Sequence, residues 1–210
     1  MMTSHMQSGQ PVRWLLLLTF ISAFSCAAQA GVNVAQPAPD FTGIDSNGST
    51  HSLSQYRGKT VVLEWTNHDC PYVRKHYQSG NMQKLQKAAI SDGIVWLSII
   101  SSAPGKQGHV SGAEANALTS QRNASPSAVI LDEKGDIGRL YGAKTTPHMY
   151  IIDPKGTLVY MGGIDSIPSS NQADIDRATN YVSAALQSLK EGKVITDNVT
   201  RPYGCSVKYN

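Results

Sequence analysis

Residues 61–76 read Val61-Val62-Leu63-Glu64-Trp65-Thr66-Asn67-His68-Asp69-Cys70-Pro71-Tyr72-Val73-Arg74-Lys75-His76, and the rest of the chain organises around them. The run 60–65 is mostly apolar and β-branched, the pattern of a buried strand. Polar residues then turn the chain. Pro71 suits a first helical position, where its missing N–H leaves no helical hydrogen bond unmade. The stretch therefore predicts a strand, a sharp turn and a helix with Cys70 as its N-cap. An N-cap side chain accepts an N–H from the next turn, here Tyr72 or Val73. The helix dipole favours negative charge at that place by roughly 0.3–1 kcal/mol. At about 1.36 kcal/mol per pKa unit, the dipole alone moves a thiol by less than about one unit. Hydrogen bonds and cations must add to it. Arg74, Lys75, His76 and His68 supply positive charge, and Asp69 opposes them. The thiolate is the nucleophile of thiol chemistry, so this is the setting of a reactive cysteine.

A Cys-x-x-Cys dithiol would place its second thiol at position 73, which is Val73. Cys70 therefore needs a distant or an external thiol to resolve a mixed disulfide. Of the 3 cysteines, Cys26 falls in the N-terminal leader, which leaves Cys205, beside flexible Gly204 in a terminal tail. A structural Cys70–Cys205 disulfide is the alternative. Closing so long a loop would stabilise the fold by about 4–5 kcal/mol on chain-entropy grounds.

Arg13 precedes the apolar run Trp14-Leu15-Leu16-Leu17-Leu18-Thr19-Phe20-Ile21-Ser22-Ala23-Phe24, and small residues follow up to Ala28-Gln29-Ala30. A short apolar run before an A-x-A site predicts a signal peptide over 1–30 and a mature domain over 31–210, periplasmic or secreted. A retained anchor and a lipid on Cys26 are the alternatives, the second weakened by the poor lipobox Ala23-Phe24-Ser25. No other segment is apolar enough to cross a membrane, so no stable span is expected after processing. A chain of 210 residues, 40% hydrophobic and 16% charged, fits one domain with a sizeable core. Its 18 Lys+Arg against 15 Asp+Glu, with no basic run interleaved with aromatics, argues against a nucleic-acid partner. An oxidising compartment suits cysteine redox chemistry.

Downstream, Asp45-Ser46-Asn47-Gly48-Ser49 predicts a hairpin turn, and 52–56 one helical turn. A helix over 71–89 is expected to weaken at Ser79-Gly80-Asn81. Buried strands are expected at 94–100 and 128–131. Short helices should cover 113–121 and 136–141, the latter ended by Gly142. A hairpin should join 149–152 to 157–161 across Asp153-Pro154-Lys155-Gly156. A last helix is expected over 173–190, with Ile175, Ala178, Val182, Ala185 and Leu189 on one face. Strand-helix alternation of this kind argues for a central, partly parallel sheet with helices on both faces.

Four motifs in this order resemble thioredoxin-like redoxins of the alkyl hydroperoxide reductase/thiol-specific antioxidant (AhpC/TSA) group. They are Pro37-Ala38-Pro39-Asp40-Phe41, Asn67-His68-Asp69-Cys70-Pro71-Tyr72-Val73, Thr146-Pro147, and Gly204-Cys205-Ser206-Val207-Lys208-Tyr209. The resemblance spans nearly all of the mature chain. It implies a thioredoxin-like three-layer α/β fold, with a central mixed sheet and helices on both faces. It also implies an antioxidant or thiol-dependent oxidoreductase activity without cofactor or metal. Thr146-Pro147 resembles the cis-proline loop that faces the active cysteine in thioredoxins. Where peroxiredoxins carry a hydroxyl three residues before the cysteine, this chain has Asn67, with Thr66 one place earlier. Peroxide and disulfide substrates both stay open.

The resulting expectation is that Cys70 attacks a protein disulfide or a peroxide, and that Cys205 or an external thiol reductant resolves the product. Pro147 shapes the groove beside the sulfur, and Thr146 offers backbone groups to a substrate. Thr66, Asn67, His68, Pro71 and Arg74 support the site. Two other classes remain: a copper-binding or copper-delivery protein using Cys70 with His68 or His76, and a non-catalytic thioredoxin-fold module.

Overall fold

The computed structural model describes residues 1–3 and 31–210. The expected leader, with Cys26 and Ala28-Gln29-Ala30, lies outside the described residues. In chain order come β1 (Thr42–Asp45), β2 (Thr50–Ser52), β3 (Val61–Trp65), α1 (Pro71–Gln78), α2 (Asn81–Ser91), β4 (Val95–Ile100) and α3 (Gly112–Gln121). They are followed by β5 (Ala128–Leu131), α4 (Asp136–Tyr141), β6 (Thr145–Thr146), β7 (His148–Ile152), β8 (Leu158–Gly162), α5 (Tyr181–Lys190) and β9 (Cys205–Ser206). Among the described residues, one mixed sheet runs β2-β1-β5-β4-β3-β7-β8 and a separate small ladder pairs β6 with β9. The β3–β4 and β4–β5 pairs are parallel; β7, β8 and the β1–β2 hairpin join antiparallel.

Every residue of β3 is buried, as its apolar run demands. Its alternate side chains serve two cores. Val61, Leu63 and Trp65 face Phe41, Ile137 and Tyr141, so α4 covers that side. Val62 and Trp96 face Val73, Met82, Leu85, Val182 and Ala185 of α1, α2 and α5. On the same side α3 covers Ile100 and Val129 through Ala115. The fold is thus the three-layer, thioredoxin-like α/β arrangement. It sets Cys70 where the carboxyl end of the central strand meets a helix N-terminus.

The one polar residue of β3 is Glu64, fully buried among four donors. Tyr77 Oη and Trp96 Nε1 donate to it at 2.8 Å, Ser98 Oγ at 2.9 Å and Gln86 Nε2 at 3.2 Å. A carboxylate removed from water is tolerable only with its oxygens so occupied. The arrangement ties β3, β4, α1 and α2 together.

The weak point expected at Ser79-Gly80-Asn81 splits the helix over 71–89 in two, with Gly80 at φ 75°. Two other expectations need correction. The last helix begins at Tyr181, not 173. Residues 172–177 form a 3-10 turn, and Ala178 is extended. There the chain pairs with 164–166: Ser166 N donates to Thr179 O and Tyr181 N to Ile164 O, each at 3.0 Å. Asn180 then caps α5 by accepting from Ser183 N at 2.9 Å. Ile175 and Ala178 therefore lie off that helix. Finally, the tail is docked along its length rather than loose. Thr200 N donates to Met161 O (3.1 Å), Val207 N to Lys144 O (3.0 Å) and Ala103 N to Lys208 O (2.9 Å), and Tyr209 Oη donates to Ala143 O (2.8 Å).

Candidate active site

Cys70 is the N-cap of α1 with Pro71 at the first helical position, as the spacing predicts. An Asx turn makes the approach: Asp69 N donates to Asn67 Oδ1 (2.9 Å) and Cys70 N to Asn67 O (3.1 Å). The neutral thiol makes no capping hydrogen bond among the described residues, while the Val73 N–H is near enough to favour a charged sulfur. The thiol donates instead across the site, to Thr146 O at 3.1 Å, and Cys70 is 0% exposed.

The Thr146–Pro147 peptide is cis, as the resemblance implied. β6, just before it, pairs antiparallel with β9 in the register Thr146↔Cys205 and Thr145↔Ser206. Directly opposed residues of an antiparallel pair hold their Cβ atoms about 4.5–5.5 Å apart. Cys205 is thereby brought over the residue whose carbonyl holds Cys70 Sγ, and it packs against the apolar cluster containing Cys70. Gly204 makes this approach possible. Its φ is 131°, and a Cβ there would run into Thr146 O.

The two thiols are unequal. Burial pushes Cys70 up, but the Cys205 thiol, the N–H groups of Val73 and Cys205, and the Thr146 side chain outweigh it, and the pKa falls below its ordinary value. Cys205 is pushed up to about 11 by burial and by the adjacent Cys70, against the pull of Lys208 and Arg74. Of the pair, Cys70 gives up its proton the more readily and Cys205 the less. The Thr146 hydroxyl, buried beside Cys70 Sγ, has no hydrogen-bond partner among the described residues and is available to a thiolate.

The remaining expected residues are placed as follows. Asn67 is spent on structure, its Oδ1 on the turn and its Nδ2 on Gln107 O at 3.2 Å. Thr66 Oγ1 lines a small cavity with His68, Tyr77 and Ser98, and finds no partner among the described residues. His68 lies 3.5 Å from Asp69, and Arg74 acts on Cys205. Neither is among the groups that lower Cys70. Lys75 and His76, counted from sequence as cations near the thiolate, are buried elsewhere. Lys75 Nζ donates to Asp165 Oδ2 (3.1 Å) and Ile167 O (3.2 Å). His76 uses Nε2 on Tyr203 Oη (3.2 Å) and Nδ1 on Asn81 (2.8 Å). Tyr203 Oη donates to Asp165 Oδ1. His76, its pKa lowered to about 4 chiefly by burial, is therefore occupied and not turned toward Cys70. No cluster of three or more His, Cys, Asp or Glu suited to a metal occurs among the described residues.

Sequence reading missed Glu64, Asp165, Tyr203 and the structural use of Gly204. A carboxylate inside an apolar strand was a visible signal for Glu64. The Asp165–Lys75 pairing had none, since its partners lie 90 residues apart.

With this geometry, the chain belongs to the AhpC/TSA family, whose model matches residues 34–161, a span holding Cys70 and Pro147 but not Cys205. It is similar to the thioredoxin-like protein YneN of Bacillus subtilis, 26% identical over 70% of this chain and 83% of that one. It is also similar to the thiol-disulfide oxidoreductase ResA of Geobacillus thermodenitrificans, 24% identical over 69% and 82%. A crystal structure of a hypothetical protein from Sinorhizobium meliloti shares the fold with a TM-score of 0.70 at 19% identity, over 86% of this chain and 97% of that one. Among the described residues no helix is long and apolar enough to cross a membrane.

Proposed function

We propose that this chain is an exported thiol–disulfide oxidoreductase whose redox pair is Cys70 and Cys205. The observation that carries the reading is the pairing of Cys205 with Thr146, the residue whose carbonyl already holds Cys70 Sγ. A dithiol that other proteins place within one helical turn is here divided between α1 and β9. The similarity to proteins named thiol-disulfide oxidoreductases supports the same class. Export rests on the leader pattern in 1–30, with the working domain over 31–210.

The Cys70 thiolate attacks one sulfur of a substrate disulfide. The Cys70–S bond forms as the substrate S–S bond breaks, and the departing sulfur takes a proton. Cys205 loses its proton, attacks the Cys70 sulfur and frees the second substrate thiolate. The substrate gains two electrons and the pair becomes a Cys70–Cys205 disulfide, which an external dithiol reduces. Run backwards, the same steps oxidise a substrate dithiol. Disulfide exchange is favoured over peroxide reduction because Asn67, at the place of the peroxiredoxin hydroxyl, is already engaged by Asp69 N and Gln107 O.

The test is turnover of a model protein disulfide by wild type, Cys70→Ser and Cys205→Ser. Cys70→Ser should lose turnover, and Cys205→Ser should accumulate a Cys70 mixed disulfide visible by mass. Full turnover by Cys70→Ser would overturn the mechanism. A stable Cys70–Cys205 bond in a wild type that turns over nothing would make the disulfide structural.

A further inference from the structure

β6 presents the backbone edge beside Cys70 that an extended substrate would use, yet the chain's own β9 already occupies it. The occupant has the features of a bound substrate. It is extended, it pairs antiparallel with Thr145 and Thr146, and it sets a cysteine against Cys70. Beneath it Cys70 is fully buried, whereas Cys205 keeps part of its surface.

The two flanks of β9 are fastened differently. On the side before Gly204, Tyr203 is held in the buried cluster with Asp165, Lys75 and His76. Beyond Gly204 the contacts are half-buried or exposed: backbone bonds from Val207 to Lys144 and from Ala103 to Lys208, Tyr209 Oη on Ala143, the Arg139 guanidinium on Asn210 O and over the Tyr209 ring, and Val207 against the core. Gly204 between them has the conformational freedom of a hinge. A cleft of about 500 Å³, lined by Thr145, Ser166, Tyr181, Arg201 and Gly204, opens next to this edge and gives an incoming chain room to continue.

We propose that β9 is an internal stand-in for substrate: an extended, cysteine-bearing segment of another polypeptide displaces it from Thr145–Thr146, and its return delivers Cys205 and expels the reduced product. This rests on the exchange reading above and uses the same two sulfur transfers. The buried anchor at Tyr203 brings Cys205 back to one place, and the half-buried contacts beyond Gly204 are the ones that open. A disulfide buried in a folded domain cannot enter as an added strand, so the substrates are locally extended segments.

The experiment uses the full chain as Cys205→Ser, which cannot resolve a mixed disulfide at Cys70. It is loaded with a short synthetic peptide whose single cysteine is activated as a thiopyridine disulfide. Amide hydrogen exchange is compared with and without the peptide. Exchange at Val207 and Ala103 should speed up by about tenfold or more, while β4 amides stay protected. Unchanged protection at Val207 and Ala103, with the peptide attached, would overturn the proposal. If Cys70 captures neither peptide nor thiopyridine, the exchange reading falls and this inference with it. As a second arm, Gly204→Val in the same background should raise alkylation of Cys70 by a polymer-linked maleimide far more than by iodoacetamide. Equal gains for both reagents would show that β9 is no cover.

Discussion

Lys75→Met tests whether the buried cluster under the tail is held by charge. Lys75 Nζ gives Asp165 Oδ2 its 3.1 Å partner and is sealed from water on the first helix of the site. Methionine fills similar volume but leaves Asp165 with the Tyr203 hydroxyl, the Ile167 N–H at 3.1 Å and the uncharged His76 ring at 3.8 Å. Breaking one side of a buried ion pair costs about 3–5 kcal/mol, because the remaining charge stays buried. A domain of this size has about 5–15 kcal/mol in total. At roughly 2–4 °C per kcal/mol, the melting temperature should fall by about 6–20 °C. Adding Asp165→Asn removes the stranded charge at nearly constant shape. The double variant should recover a large part of the loss, with a coupling of about 1–3 kcal/mol in the cycle. Urea titration of the wild type, both single variants and the double variant gives all four corners. A single-variant loss below about 1 kcal/mol, or strict additivity in the cycle, would refute the reasoning.

Thr146→Val keeps the shape and the backbone but removes the hydroxyl beside Cys70 Sγ. The midpoint of the pH profile for iodoacetamide alkylation of Cys70 should move up, and Thr146→Ser should restore it. An unmoved midpoint in Thr146→Val would show that the hydroxyl gives the thiolate nothing. Glu64→Gln swaps one acceptor oxygen for an N–H facing donors, and should destabilise by about 1–3 kcal/mol by urea titration, with Cys70 alkylation unchanged in the folded protein. His76 and His148 are lowered to about 4 and about 3, chiefly by burial, from an ordinary 6.5. Between pH 6.5 and those values the unfolded chain binds more protons, so stability is complete above 6.5 and falls as the pH drops. The slope is about 1.4 kcal/mol per pH unit for each histidine. Asp132, raised by burial, works in the opposite sense at the acid end. Urea titrations from pH 7.5 to 4.5 check the slope, which His148→Gln should roughly halve; a flat profile contradicts the burial account.

Features governed by neighbours in sequence were legible before any coordinates. The β-branched run gave β3, Asn47-Gly48 the first hairpin, and Pro71 the start of α1. Each depends on local dihedral preference and on which face is apolar. The last helix shows where such reading stops. Its apolar spacing continues back through Ala178 to Ile175, yet those residues leave the helix because 164–166 offers Thr179 and Tyr181 backbone partners. No periodicity within 173–190 carries news of residue 164. Lys75 failed for the same reason: an exposed cation and a buried one look alike until Asp165 is seen beside it.

The proposed redox pair lies between these cases. Cys70 was identifiable as the N-cap residue of α1, and the absence of cysteine at position 73 left Cys205 as the internal candidate. What sequence could not supply was the state of the tail. Beside Gly204 it read as flexible, because glycine widens the choices of an isolated chain. In the fold the same glycine does the reverse. Its missing Cβ is what lets the backbone press against Thr146 O and fix Cys205 there. Backbone freedom at Gly204 and close packing at Thr146 are thus one property in two settings. On the proposed exchange, that double character is what a returning resolving thiol requires: a joint loose enough to open, and close enough when shut to hold Cys205 at Cys70.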